Sequence, residues 1–187
     1  MYYLLRRTFF VALVAIFVIS TAALAVPSRV YISDTAADSI FQSKLDGSSL
    51  KTLIGSNFSV TAGGIAIEPS KKTIYWTDSS GEIRKGDFNG TSFGVVTTLA
   101  GNPSDLGIDL TGRKLYWVDQ NFPPTIKRCN LDGSNVETIY TSNPSLTNVG
   151  GIDVVSSEGK IYWTDPGIGG AIMRANLDGS SPESVFS

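Results

Sequence analysis

Histidine is absent from the 187-residue sequence, and cysteine occurs once, at Cys129. The first absence removes Ser-His-Asp and Cys-His catalysis and every histidine-ligated metal centre. The second removes an internal disulfide framework, the usual support of small exported domains. Positive charge is also scarce: 15 basic side chains face 17 acidic ones, and no basic stripe of the kind that tracks a nucleic-acid backbone is visible. After residue 25 no stretch shows helical periodicity, and none approaches the roughly 20 apolar residues that a membrane span needs. What remains is a chain of short β-branched and aromatic runs punctuated by glycine, asparagine and aspartate.

Residues 1–25 stand apart. Arg6 and Arg7 precede an apolar run from Phe9 to Ile19, which ends in Ala23-Leu24-Ala25. This is the layout of a secretory signal peptide cleaved before Val26; the alternative is an uncleaved amino-terminal anchor. Cleavage leaves 13 basic and 17 acidic groups, a formal net charge of −4 on residues 26–187.

The rest of the sequence repeats. Tyr75-Trp76-Thr77-Asp78 returns as Tyr116-Trp117-Val118-Asp119 and Tyr162-Trp163-Thr164-Asp165, with a degenerate copy at Tyr31-Ile32-Ser33-Asp34, in steps of 44, 41 and 46 residues. A second marker keeps the same beat: Leu45-Asp46-Gly47, Phe88-Asn89-Gly90, Leu131-Asp132-Gly133 and Leu177-Asp178-Gly179 follow isoleucines at 40, 83, 126 and 172. A third opens three units: Gly64-Ile65-Ala66-Ile67, Gly107-Ile108-Asp109-Leu110 and Gly151-Ile152-Asp153-Val154. Within the second unit the apolar pattern predicts four strands, Gly64 to Ile67, Thr73 to Asp78, Ile83 to Gly86 and Gly94 to Leu99. Asn-Gly and Asp-Gly supply the positive φ that tight hairpins require. Four strands at this period describe an all-β propeller blade. The units fall near residues 28–54, 64–99, 107–140 and 151–187.

On the central strand Trp76 and Asp78 share one side and Tyr75 and Thr77 the other. Both sides carry β-branched or aromatic residues, as expected of a strand buried between two blades. A buried carboxylate at the strand end requires partners, and the long polar residues two positions after the marker isoleucines, Gln42, Lys85, Arg128 and Arg174, are the candidates. Cys129 occupies a slot filled by Ser43, Gly86 and Ala175 in the other units, so it reads as a small buried thiol rather than a nucleophile.

The order G-I-x-I, I-Y-W-T-D, I-x-R-x-N-L-D-G resembles the low-density lipoprotein receptor class B repeat family, the YWTD β-propellers, from Val30 onward. The resemblance implies a six-bladed ring in extracellular receptor or matrix proteins, acting as a non-catalytic, ligand-binding module without cofactors. It also implies that Tyr75, Trp76, Asp78, Tyr116, Trp117, Asp119, Tyr162, Trp163, Asp165, Arg128 and Arg174 are architectural. This sequence holds about four blades, the first incomplete, and lacks the cysteine-rich modules that commonly flank such rings. A fragment of a larger protein, self-association through the open end blades, and a contracted four-bladed ring are the resulting expectations.

If strand direction alternates, one face collects the long segments Thr35 to Asp38, Gly55 to Gly63, Ser79 to Glu82, Ala100 to Asp105, Gln120 to Thr125, Thr141 to Val149 and Pro166 to Ala171. Phe58 and Phe122 are the candidate anchors there for an extracellular protein or glycan ligand, with Asn57, Asn121 and Asn143 beside them. Asn57 and Asn89 lie in N-x-[ST] sequons and are the possible glycan sites. Asp109 and Asp153, on innermost strands, are weak metal candidates, the basis of a second reading as a metal-dependent lactonase or hydrolase-like ring. They have no ring of companion carboxylates, because the second unit carries Ala66 there. A structural spacer without independent activity is the third reading.

Overall fold

The computed structural model describes residues 29–55, 63–142, 149–166 and 170–186. The proposed signal peptide lies outside these residues. Fifteen strands form four antiparallel sheets, each built from strands consecutive in sequence. The first blade holds β1 (Arg29–Asp34), β2 (Ser39–Lys44) and β3 (Lys51–Ile54). The second holds β4 (Ile65–Glu68), β5 (Thr73–Thr77), β6 (Ile83–Asp87) and β7 (Phe93–Thr97). The third holds β8 (Pro103–Asp109), β9 (Lys114–Asp119), β10 (Thr125–Asn130) and β11 (Glu137–Thr141). The fourth holds β12 (Ile152–Val155), β13 (Lys160–Asp165), β14 (Ala171–Asn176) and β15 (Glu183–Phe186). This is the all-β, four-bladed propeller arrangement expected from the repeats, and the first blade has three strands among the described residues. No helix among the described residues is long and apolar enough to cross a membrane.

The core is divided into three seams between consecutive blades. Tyr31 and Ile40 meet Ile65, Ile74 and Trp76 in the first; Tyr75 and Ile83 meet Leu106, Leu115 and Trp117 in the second. Tyr116, Val118 and Ile126 meet Ile152, Ile161 and Trp163 in the third. The period-2 alternation explains this division. Tyr31, Tyr75 and Tyr116 point to the following blade and Trp76, Trp117 and Trp163 to the preceding one, so the middle strands of the second and third blades are apolar on both sides. Trp76, Trp117 and Trp163 are fully buried.

The register corrects one alignment. Ala66, Gly107 and Asp153 are the residues paired with Tyr75, Tyr116 and Tyr162. Asp109 therefore corresponds to Glu68 and Val155, two residues further along than the Gly-Ile spacing suggested. A slip of two residues keeps every side chain on its original face, so the hydrophobic alternation does not reveal it.

Cys129 is buried in the seam between the second and third blades, and burial pushes its thiol up to about 12. A thiol-reactive chromophore is expected to leave the native chain unmodified at neutral pH and to react once the chain is unfolded. Rapid labelling of the native chain would contradict this placement.

Candidate ligand-binding face

Asp78 and Asp119 each close a middle strand and organise the loop after it. Asp78 accepts the backbone N–H groups of Ser80 at 2.8 Å and Glu82 at 3.3 Å, and the Ser80 hydroxyl. Its other oxygen takes Arg84 Nε at 2.6 Å, and Arg84 also reaches Glu82 at 2.6 Å. Asp119 accepts the N–H groups of Asn121 at 3.0 Å and Asn102 at 2.9 Å, and pairs with Lys127 at 2.7 Å. In the degenerate first copy, Asp34 accepts the N–H groups of Ala36 and Ala37. The carboxylate thus fixes its own loop, and Asp119 also holds the segment that enters its blade from the one before.

The cation comes one position after the marker isoleucine, at Arg84 and Lys127, and not two positions after it. Antiparallel pairing sets this. Trp117 is opposite Lys127 and Tyr116 is opposite Arg128, so only Lys127 shares a face with Asp119. Gln42, Lys85, Arg128 and Arg174 all sit opposite the repeat tyrosines. Gln42 donates to the Tyr31 hydroxyl at 2.9 Å. Arg128 pairs with Glu137 at 2.6 Å and donates to the Leu177 carbonyl of the next blade at 2.7 Å. Arg174 repeats the ion pair, with Glu183 at 2.7 Å. In the fourth blade the position of Lys127 is taken by Met173, and Asp165 remains buried.

Three of these segments converge. The backbone amide of Gln120 donates to the Asn102 carbonyl at 2.9 Å, and the Trp117 indole to the Ala100 carbonyl at 2.9 Å. Gly81 lies so close to Gly101 that a Cβ would stand 2.6 Å from its carbonyl oxygen. On this framework Phe122 is 69% exposed, and Leu99, which the sequence did not single out, is 64% exposed. Asn121 is exposed beside Phe122. Leu99 has no periodic signature; the signal available was its place between a strand end and Gly101. Asn57, Phe58 and Asn143 lie outside the described residues. Asn89 is exposed at the tip of the β6–β7 hairpin, on the opposite face, with its N–H on Asp87.

Asp105, also missed, straps two blades together. Its carboxylate accepts the N–H of Ile152 at 2.8 Å and of Leu106 at 2.9 Å. Burial raises its pKa, and the charge of Asp153 adds to the rise against those two bonds. Asp109 accepts the N–H of Thr111 at 3.0 Å within its own turn, whereas Asp153 is exposed. Among the described residues no group of three or more acidic or cysteine side chains is placed to hold a metal ion.

No family model matches the chain. Protein cueball of Drosophila willistoni is 34% identical over 94 residues, covering 44% of this chain and 14% of that protein. The human low-density lipoprotein receptor-related protein 5-like protein is 31% identical over 117 residues, 62% of this chain and 46% of that protein. The chain thus spans less than half the length of either relative. A chain in the crystal structure of a nidogen/laminin complex superimposes with a TM-score of 0.71 at 20% identity, over 83% of this chain and 60% of that one, a likeness of fold. With the repeated motifs and their blades in place, these matches support a YWTD-repeat β-propeller similar to those of low-density lipoprotein receptor-related proteins.

Proposed function

We propose that the chain is a non-catalytic, extracellular module that binds another protein through the face bearing Leu99 and Phe122. The observation that carries this reading is the pairing of exposed apolar side chains with loops pinned by buried aspartates, a rigid presentation of anchor residues. The receptor-related name of the human relative and the complex in which the nidogen propeller was solved support it. The hydrolase-like reading gains no comparable support, since Asp109 is used in its own turn.

Binding of the secreted chain to an immobilised panel of extracellular matrix proteins, laminin among them, tests the reading. Phe122→Ala is expected to weaken the interaction about tenfold or more, the scale of a central anchor. Leu110→Ala, an exposed residue of the opposite face, is expected to leave it unchanged. Equal binding by the wild type and both variants, or no binding by any of them, would overturn the assignment.

A further inference from the structure

The outer hairpins of the third and fourth blades are built on one plan: Asn130-Leu131-Asp132-Gly133-Ser134 recurs as Asn176-Leu177-Asp178-Gly179-Ser180. In both, the tip aspartate accepts the serine N–H at 2.9 Å and the serine hydroxyl at 2.6 Å. The leading asparagine donates to the same hydroxyl at 2.8 Å. The first blade keeps the tip carboxylate, with Asp46 on the Ser48 N–H at 2.9 Å. In these three hairpins the tip side chain is tied into its own turn.

The second blade exchanges the two polar residues, giving Asp87-Phe88-Asn89-Gly90-Thr91. The carboxylate now leads. Asp87 Oδ1 accepts the N–H groups of Thr91 at 2.9 Å and Asn89 at 3.1 Å, and Oδ2 accepts the Thr91 hydroxyl at 2.7 Å. The bonds that the tip aspartate makes in the third and fourth blades are thus made from two residues upstream. Asn89 is left exposed, and its carboxamide makes no hydrogen bond among the described residues. Its base is nevertheless fixed. The Gly90 N–H donates to the Asp87 carbonyl at 3.1 Å, and Gly90 is wedged against the first blade, where a Cβ would stand 2.2 Å from the Leu53 oxygen. Gly133 and Gly179 meet the Val96 and Ile139 oxygens in the same way.

The exchange that frees the Asn89 side chain also completes Asn89-Gly90-Thr91, an acceptor sequence for N-linked sugar. A bulky, hydrated glycan needs a side chain that is exposed and that the fold does not use. We propose that Asn89 carries an N-linked oligosaccharide, an inference that rests on the extracellular part of the reading above. The donor is an oligosaccharide on a lipid diphosphate. The bond from its anomeric carbon to the diphosphate oxygen breaks, a bond from that carbon to Asn89 Nδ2 forms, and the carboxamide loses one proton as the lipid diphosphate leaves. The Thr91 hydroxyl is held by Asp87 in the finished hairpin, so the transfer precedes its closure. The glycan then stands on the face opposite Leu99 and Phe122, where it keeps a partner off the hairpins of the first two blades and leaves the candidate binding face bare.

The test is mass spectrometry of the full chain expressed in a eukaryotic secretory host and recovered from the medium. Peptide N-glycosidase in heavy-oxygen water is expected to lower the mass of the chain and to leave heavy oxygen at position 89 of the tryptic peptide 86–113, while an untreated sample shows none. Asn89→Gln removes that glycan, whereas Asn57→Gln, in the other sequon, leaves it in place. Asp87→Asn combined with Asn89→Asp restores the residue order of the third and fourth blades and should be secreted, folded by circular dichroism and free of sugar at that hairpin. Heavy-oxygen labelling of the wild type decides the matter without any variant, so a variant that is retained in the cell does not rescue or remove the proposal. A secreted wild type with Asn89 unmodified overturns it and leaves the ligand-binding reading standing; a chain that stays in the cytosol overturns both.

Discussion

Asp119→Ala is expected to lower the melting temperature by roughly 6–12 °C. The carboxylate is buried, it pairs with Lys127 at 2.7 Å, and it fixes the amides of Asn102 and Asn121. Removing it leaves a partly buried ammonium and two N–H groups without their acceptor. Breaking a buried pair in this way costs about 3 kcal/mol, the lower end of the usual range because Lys127 retains some contact with water. In a domain of this size each kcal/mol shifts the midpoint by about 2–4 °C. Asp119→Asn keeps an acceptor for the amides and should cost about half as much. A midpoint unchanged in the alanine variant would remove the carboxylate from the architecture.

The same group gives stability a defined pH dependence. Burial opposes ionisation of Asp119, but the bond from Lys127, the two amide bonds and the Lys127 charge outweigh it and hold the carboxyl below its ordinary value of 3.8. A depressed folded-state pKa contributes stability that is complete above the unfolded value and is lost as pH falls through the folded one. The gap in stability between wild type and Asp119→Asn should therefore stay constant near neutrality and close only below about pH 3.8. Chemical denaturation at a series of pH values measures it, and a gap that persisted through the acid limb would assign the stabilisation elsewhere.

Gly133→Ala should rival Asp119→Ala, for two separable reasons. Gly133 has a φ of +89°, where a Cβ costs about 1–2 kcal/mol. It also faces the Val96 oxygen across the seam, where a Cβ would stand only 1.8 Å away, so the second and third blades must part; overpacking of this kind adds about 1–3 kcal/mol. Gly159 supplies the internal control, with a φ of +65° and open space around it. Gly159→Ala is expected to show the backbone cost alone. Equal losses in the two variants would mean that the hairpin is not wedged against the neighbouring blade.

The blades were legible from the sequence because three independent markers recur in one order, and two of them carry their own mechanics. Asn-Gly and Asp-Gly announce the hairpins. The slot shared by Ser43, Gly86, Cys129 and Ala175 announces a tight interior, and all four are buried. What escaped the reading was pairing. Asp78 was matched to the wrong cation because counting from the isoleucine ignores which face a residue shares. Strand partners in a hairpin have a constant sum of residue numbers, and that rule places Arg84 opposite Trp76, on the side of Asp78. Gly107-Ile108-Asp109 resembles Gly151-Ile152-Asp153, yet β8 ends at Asp109 whereas β12 runs past Asp153 to Val155 before a turn of the same length, so the similar triplets occupy different rungs. Leu99 escaped for another reason: exposure on an irregular segment leaves no periodic trace.

The seams have a consequence for cooperativity. Within a blade each strand pairs with its sequence neighbour, so the sheets are assembled from local contacts, while tryptophan, marker isoleucine and hairpin glycine are spent between blades. A single blade has little interior of its own. The energetic unit is the junction, as in a linear array whose stability is the sum of nearest-neighbour terms. Among the described residues the second and third blades take part in two junctions each, so the amides of β5 and β9 are expected to be the last to exchange with solvent.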